Sequence, residues 1–148
     1  MPSAIIAVRL RNWDEARGDA LSIRELVFVR EQGVPIELEL DEWDSRSDHA
    51  LAYAADGRAL GTGRLLPDGH IGRMAVLKDW RGQGVGAALL SALMELARKR
   101  GHASARLNAQ VSATAFYRSH GFEVVGSEFM DAGIAHIHMQ RELKSGPG

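Results

Sequence analysis

A chain of 148 residues with a formal net charge of −1 and no cysteine is long enough for one domain, taken here as 1–148, with a core of ordinary size. The near-neutral charge supplies no global field toward nucleic acid or a membrane surface, and without thiols there is no disulfide framework, thiolate metal site or cysteine nucleophile. The start "MPSAIIAVRL" lacks the charged head and long apolar run of a signal peptide, so the expected compartment is the cytoplasm.

In chain order, "AIIAVRL" reads as a first strand. Residues 12–32 read as helix, with Gly18 as a point where it could break. Gly33 and Pro35 end that segment, and "IELELDEWD" after it is acidic and irregular. "HALAYAA" and "RALGTGRLL" form a hairpin across Asp56-Gly57, and "HIGRMAV" is a further strand after Pro67-Asp68-Gly69. A helix from about Val85 to Arg100 carries the apolar stripe Val85, Leu89, Leu93 and Leu96 and stops at Gly101. "ASARLNA" is a strand. Ser112 is placed to cap a short helix that runs through His120 to Gly121. "FEVVG" and "HIHMQREL" close the chain as strands, and the tail from about Leu143 looks frayed. The sum is an α/β domain whose front half is mostly antiparallel, with one strand–loop–helix–strand crossover in the middle.

The loop at the crossover, "DWRGQGVGAALL", places Gly82, Gly84 and Gly86 at the mouth of a helix, directly behind Arg81. A helix N-terminus offers unpaired N–H groups and a positive dipole end. Glycines leave room for a phosphate to reach those donors and allow unusual dihedrals, and an arginine adds a positive fork. The stretch therefore reads as an anion cradle, with a plain glycine-rich surface loop as the other reading. A P-loop is excluded because Ala87 and Ala88 stand where Lys-Ser/Thr is required. The dinucleotide fingerprint fits Gly82, Gly84 and Ala87 formally, but no strand runs directly into the loop and Arg98 to Gly101 occupy the region where its acidic residue belongs.

Arg81-x-x-Gly84-x-Gly86 behind "GRMAV" resembles the acetyl-CoA signature of the GNAT N-acetyltransferases. "ATAFYRSHGFEVVG" resembles the last helix and following strand of that superfamily, and both motifs come in the expected order over residues 71–126. "RELVFVREQGVP", "DEWD", "AQVSATAFY" and "GIAHIHM" are similar to the ElaA/YjcF-like subgroup. The resemblance implies the GNAT fold, a mixed and mostly antiparallel sheet of about six or seven strands flanked by about four helices. It implies acetyl transfer from acetyl-CoA to a primary amine of a small molecule or peptide, by direct attack in a ternary complex. By the same match, Arg81, Gly82, Gln83, Gly84, Val85 and Gly86 take the pyrophosphate. Met74, Ala75 and Val76 pair with the pantetheine arm, with a backbone N–H of Ala75 or Val76 for the oxyanion. Tyr117 protonates the leaving thiolate. Many members carry an asparagine seven residues before that tyrosine; here the position is Gln110, which offers the same groups on a longer arm. Asn108, near the end of the same strand, is the second candidate.

The base that deprotonates the amine is drawn from Glu25, Glu31, Asp41, Glu42, Asp44 and His49. Glu31 is preferred, because "VFVREQ" matches the early helices that wall the acceptor cleft in this superfamily. The acidic "ELELDEWD" is read either as recruiting a cationic acceptor or as a solvated loop. His136 and His138 share one strand face, and with no third ligand close in sequence they are read as ordinary strand residues, so no metal is expected. The expected partners are the amine acceptor and, at most, a second copy of the chain as a homodimer, with neither nucleic acid nor membrane. Two rivals remain. Arg24, Phe28, "ELDEWD" and "GTGRLLP" are similar to acyl-homoserine-lactone synthases, and a non-catalytic CoA-binding sensor could use the same cradle.

Overall fold

The computed structural model describes residues 6–36 and 41–143. The tail after Leu143, the first residues of the proposed opening strand and the "ELEL" part of the acidic stretch lie outside them.

Among the described residues, seven strands form one sheet: β1 (Ala7–Arg11), β2 (Asp48–Tyr53), β3 (Ala59–Leu65), β4 (His70–Val76), β5 (Ser104–Gln110), β6 (Glu123–Asp131) and β7 (Ile134–Glu142), in spatial order β1-β2-β3-β4-β5-β7-β6. Every neighbouring pair is antiparallel except β4 and β5, which run parallel. A parallel pair needs a crossover, and α2 (Val85–Lys99) supplies it. The other α-helices are α1 (Trp13–Arg24) and α3 (Thr114–Ser119). Among the described residues, no helix is long and apolar enough to cross a membrane.

The two faces of the sheet bury different helices. On one face α2 presents Val85, Leu89, Leu90, Leu93 and Ala97 to Leu60, Ile71, Leu107 and Met139. The helix comes close because β3 has no side chain at two of its α2-facing positions. A Cβ on Gly61 would stand 2.9 Å from Leu89 Cδ1 and 3.0 Å from the Ala75 carbonyl oxygen, and one on Gly63 would stand 2.9 Å from Leu93 Cδ1. On the other face α1 buries Ala16, Ala20 and Ile23 against Leu51 and Ala75.

Several expectations from sequence are corrected. α1 runs unbroken through Gly18. A capping box between Asn12 and Glu15 starts it, and the buried alanine stripe on both sides of Gly18 outweighs the roughly 1 kcal/mol that a mid-helix glycine costs. The irregularity falls later, where the helix continues as a π-helical segment, Glu25–Glu31. That segment lies within residues 12–32, which read as helix from sequence. Ser112 does not cap α3. It sits inside a 3₁₀ turn, Val111–Ala113, and Thr114 opens the helix by donating its hydroxyl to the Val111 carbonyl at 3.0 Å. β6 extends well past "FEVVG", through a register shift between Val125 and Phe129, into a tight turn where Ala132 and Gly133 both have positive φ, 52° and 78°. A two-residue hairpin turn with both residues at positive φ matches the twist of the strands it joins.

Candidate functional site

β4 and β5 pair only at His70↔Arg106 and Ile71↔Leu107. Beyond Ile71 they part. Arg73 takes a positive φ of 51°, and the register with β3 shifts between Thr62 and Arg64, so β4 carries a bulge at the point of divergence. A bulge bends its strand and re-aims the residues after it. The remainder of β4 stays with β3 through Thr62↔Ala75 and Gly61↔Val76. The edge that faces β5 is thereby left open, and a cleft of about 500 Å³ lies beside it, lined among others by Phe28, Met74, Asn108, Gln110, Tyr117 and His136.

Tyr117 reaches this cleft because α3 follows the end of β5 after a single 3₁₀ turn, Val111–Ala113. Its ring packs edge-on against Phe116 and Phe122, with centroids 5.1 and 6.0 Å away. Burial pushes the phenol up to about 12, so the proton stays on oxygen throughout the neutral range. Gln110 pairs with Gln32 across the cleft, each side-chain amide donating to the other's oxygen at 2.9 and 3.5 Å. Asn108 hydrogen-bonds His138 through its side-chain oxygen.

At the far end of β4, Gly84 is the N-cap of α2 and has no capping side chain. Gly82 and Gly84 have φ of 76° and 85°, and nothing stands within 4 Å of a Cβ built on either. The loop thus needs glycine for its backbone conformation and leaves space in front of the first N–H groups of α2. Gly86 is different: its φ is ordinary, and a Cβ there would meet Phe116 at 3.4 Å. Gln83 donates to the Asp79 carbonyl at 3.1 Å. Arg81 donates from Nε to the Val76 carbonyl at 3.0 Å and places both terminal nitrogens on Glu31, at 2.8 and 2.7 Å. The fork therefore ties three pieces together: the glycine loop, the end of β4 and the π-helical segment.

Met74, Asn108, Gln110 and Tyr117 meet in one cleft, and Ala75, Val76, Arg81 and Gly82 to Gly86 continue from its β4 wall. Glu31 lies outside the cleft lining. The hydrogen bonds from Arg81 hold its carboxyl below the usual range, which makes it a weaker proton acceptor. Among the other early acids, Glu25 pairs with Arg30 at 3.6 Å, and Asp44 and Asp41 are engaged more closely. Asp44 is 2% exposed and takes Arg24 at 2.8 and 3.1 Å and Arg64 at 2.9 Å. Asp41 takes Arg64 at 2.7 and 2.8 Å and Arg73 at 3.2 Å. His49 is fully buried and donates from Nε2 to the Asp44 carbonyl at 2.8 Å, and burial holds it below its ordinary range. The acidic stretch, read from sequence as acceptor recruitment or a solvated loop, is at Asp41 and Asp44 neither of these: it is an internal charge network bridging α1, β3 and β4. Phe28, Gln32 and His136 line the cleft without having been singled out as site residues. Phe28 and Gln32 lie inside the "RELVFVREQGVP" stretch that carried the resemblance, but no role at the site was attached to either, and His136 was read as an ordinary strand residue.

Residues 27–143 match the family described as Acetyltransferase (GNAT) domain. The chain is 40% identical over 140 residues to the uncharacterised N-acetyltransferase YjcF of Bacillus subtilis, an alignment covering 92% of this chain and 99% of that protein. The structure is similar to that of Escherichia coli ElaA, with a TM-score of 0.83 and 28% identity over 93% of this chain and all of the other. It is also similar to an acyl-CoA N-acyltransferase from Pseudomonas aeruginosa, with a TM-score of 0.82 and 29% identity over 93% of this chain and 99% of the other.

Proposed function

The chain belongs to the GNAT family of N-acetyltransferases, and on that footing we propose that it moves an acetyl group from acetyl-CoA to a primary amine of a small molecule or peptide, by direct attack within a ternary complex. The observation that carries this reading is the parting of β4 from β5 beside a glycine-capped helix, with the buried Tyr117 lining the gap.

The residues present suit such a ligand. Gly82 to Gly86 and the N-terminus of α2 offer backbone donors and a positive dipole end to a pyrophosphate. The freed edge of β4 at Met74, Ala75 and Val76 offers backbone groups to an amide-bearing arm, in the manner of an added strand. A backbone N–H of Ala75 or Val76 stabilises the developing oxyanion, and Tyr117 delivers a proton to the departing sulfur. Gln110 and Asn108 hold the arm from the β5 side. Arg81 acts chiefly by fixing the loop against β4, with Glu31 as its counter-charge.

The cradle is tested by Gly84→Val. A β-branched residue at φ near 85° is strongly disfavoured, so the loop must abandon the conformation that aims its N–H groups. Losing two hydrogen bonds to a charged phosphate, at about 1.5–3 kcal/mol each, corresponds to a fall in acetyl-CoA affinity of at least about 10²-fold. Calorimetry on the variant, with its circular dichroism shown to be native, reads this directly. Native affinity would remove the cradle from the account.

A further inference from the structure

We propose that His136 is the general base that deprotonates the acceptor amine, an assignment that rests on the acyl-transfer reading of the cleft. His136 Nδ1 lies 2.7 Å from the carbonyl oxygen of Ile134. A carbonyl only accepts, so Nδ1 carries the hydrogen and the neutral ring keeps its lone pair on Nε2. The strand itself thus fixes the tautomer. The ring is half-buried, lines the cleft together with Tyr117, and is steadied by stacking on Phe129 with centroids 5.9 Å apart. In the β5–β7 register His136 stands opposite Gln110, the last residue of β5, after which the chain turns into the segment that bears Tyr117. A base one strand spacing from Gln110, about 4.8 Å, is at the end of the cleft where the transfer takes place.

The alternatives are worse placed, and Glu25 and Glu42 do not line the cleft. Glu31 is held by both terminal nitrogens of Arg81, Asp41 and Asp44 belong to the arginine network, and the Nε2 of His49 is used within the core. His70 also lines the cleft and is paired with Asp68 through Nδ1 at 2.9 Å. It sits, however, where β4 and β5 are still joined, some 16 Å along the strand from Ala75 at about 3.3 Å per residue. The charged and titratable groups around His136 are His138 on the same strand, Asp131 on β6, and Arg64, Arg73 and His70 on the opposite wall; β5 faces it with the neutral amides of Asn108 and Gln110.

The proton balance is simple. Nε2 removes one proton from the ammonium, and the amine nitrogen then bonds to the thioester carbonyl carbon. The C–S bond breaks, Tyr117 gives its proton to the sulfur, and it is made good by the second proton shed from the nitrogen as the amide forms. The imidazolium returns the first proton to water.

Two measurements test this. In the nitrogen-15 spectrum of the whole protein without ligands, neutral His136 should show a protonated Nδ1 and a bare Nε2; the opposite tautomer overturns the proposal without reference to activity. For kinetics, acetyl-CoA is combined with spermidine, glucosamine and a tripeptide with a free N-terminus, and the amine with the fastest release of CoA thiol is used at saturation. His136→Gln should lower kcat by roughly 10²-fold and remove the acid limb of the pH profile of kcat. Added imidazole should partly restore His136→Ala, a response that a merely structural role does not give. Acetyl-CoA affinity by calorimetry should be unchanged. A variant with wild-type kcat and an intact acid limb overturns the base and leaves acyl transfer standing. Wild-type protein that binds acetyl-CoA but releases no thiol with any amine overturns the acyl-transfer reading, and the base with it.

Discussion

Phenylalanine at position 117 is expected to cut kcat by roughly 10²-fold, at the low end of what general acid catalysis contributes. The expectation is modest for a physical reason. Thiols ionise near pH 8.5, so the departing thiolate is already a tolerable leaving group. Burial raises the Tyr117 phenol to about 12. The group is therefore fully protonated when needed, but it gives up its proton readily only if another is supplied in the same event. Phenylalanine keeps the edge-on packing against Phe116 and Phe122 and removes only the hydroxyl. Acetyl-CoA affinity should change little, because the lost interaction is used in the transition state. Rates measured with chemistry limiting are the readout. An unaltered kcat would make the hydroxyl structural, and a large loss of affinity with kcat preserved would make it a cofactor contact.

The largest effect on stability is expected from Asp44→Ala. This carboxylate sits between Arg24, which is fully buried, and Arg64, which is 6% exposed. Removing it leaves two buried guanidiniums without the carboxylate between them, a loss of about 3–5 kcal/mol where one partner of a buried pair is deleted. Against a total of roughly 5–15 kcal/mol for a domain, the variant should unfold at far lower urea, or fail to accumulate. A midpoint shift worth less than about 1 kcal/mol would show that the network adds little. Its pH dependence has a definite sign. Burial pushes the Asp44 carboxyl up, but the hydrogen bonds and charges of Arg24 and Arg64 outweigh that and hold it low. The Arg64 hydrogen bond, with Arg73 behind it, holds Asp41 far below the usual carboxylate range. Both pKa values are lowered by folding, so their contribution is complete above about pH 4, where unfolded carboxyls titrate. It disappears as pH falls through the lower folded values. Thermal midpoints should therefore drop more steeply below pH 4 in the wild type than in Asp44→Ala.

The parts of the molecule legible in sequence were those governed by local rules. The α2 stripe follows helical period, the β2–β3 hairpin follows Asp56-Gly57, and Gly82 and Gly84 announce a backbone that other residues avoid. The resemblance added the roles proposed for Tyr117 and for the β4 edge, which no spacing could have supplied. What stayed hidden depends on residues far apart in the chain. "DEWD" reads as solvated because nothing local reveals that Arg24, Arg64 and Arg73, from three different elements, converge on Asp41 and Asp44. Glu31 looked available until Arg81, fifty positions away, proved to hold it. His136 looked ordinary because what sets its tautomer is a carbonyl two residues back, and what makes it useful is the neighbouring strand. The two β3 glycines, Gly61 and Gly63, passed as hairpin residues, although their missing side chains are what admit α2 to the sheet.

The central claim is that this cleft catalyses transfer and does more than hold CoA. The direct measurement is release of free CoA thiol from acetyl-CoA in the presence of a panel of primary amines, with the N-acetylated amine quantified by mass in the same reaction. The account predicts amine-dependent release with one acetylated product per thiol, slowed by roughly 10²-fold in Tyr117→Phe. Tight binding of acetyl-CoA with no thiol and no acetylated amine from any member of the panel would contradict it, and would leave a CoA-binding module in place of an enzyme.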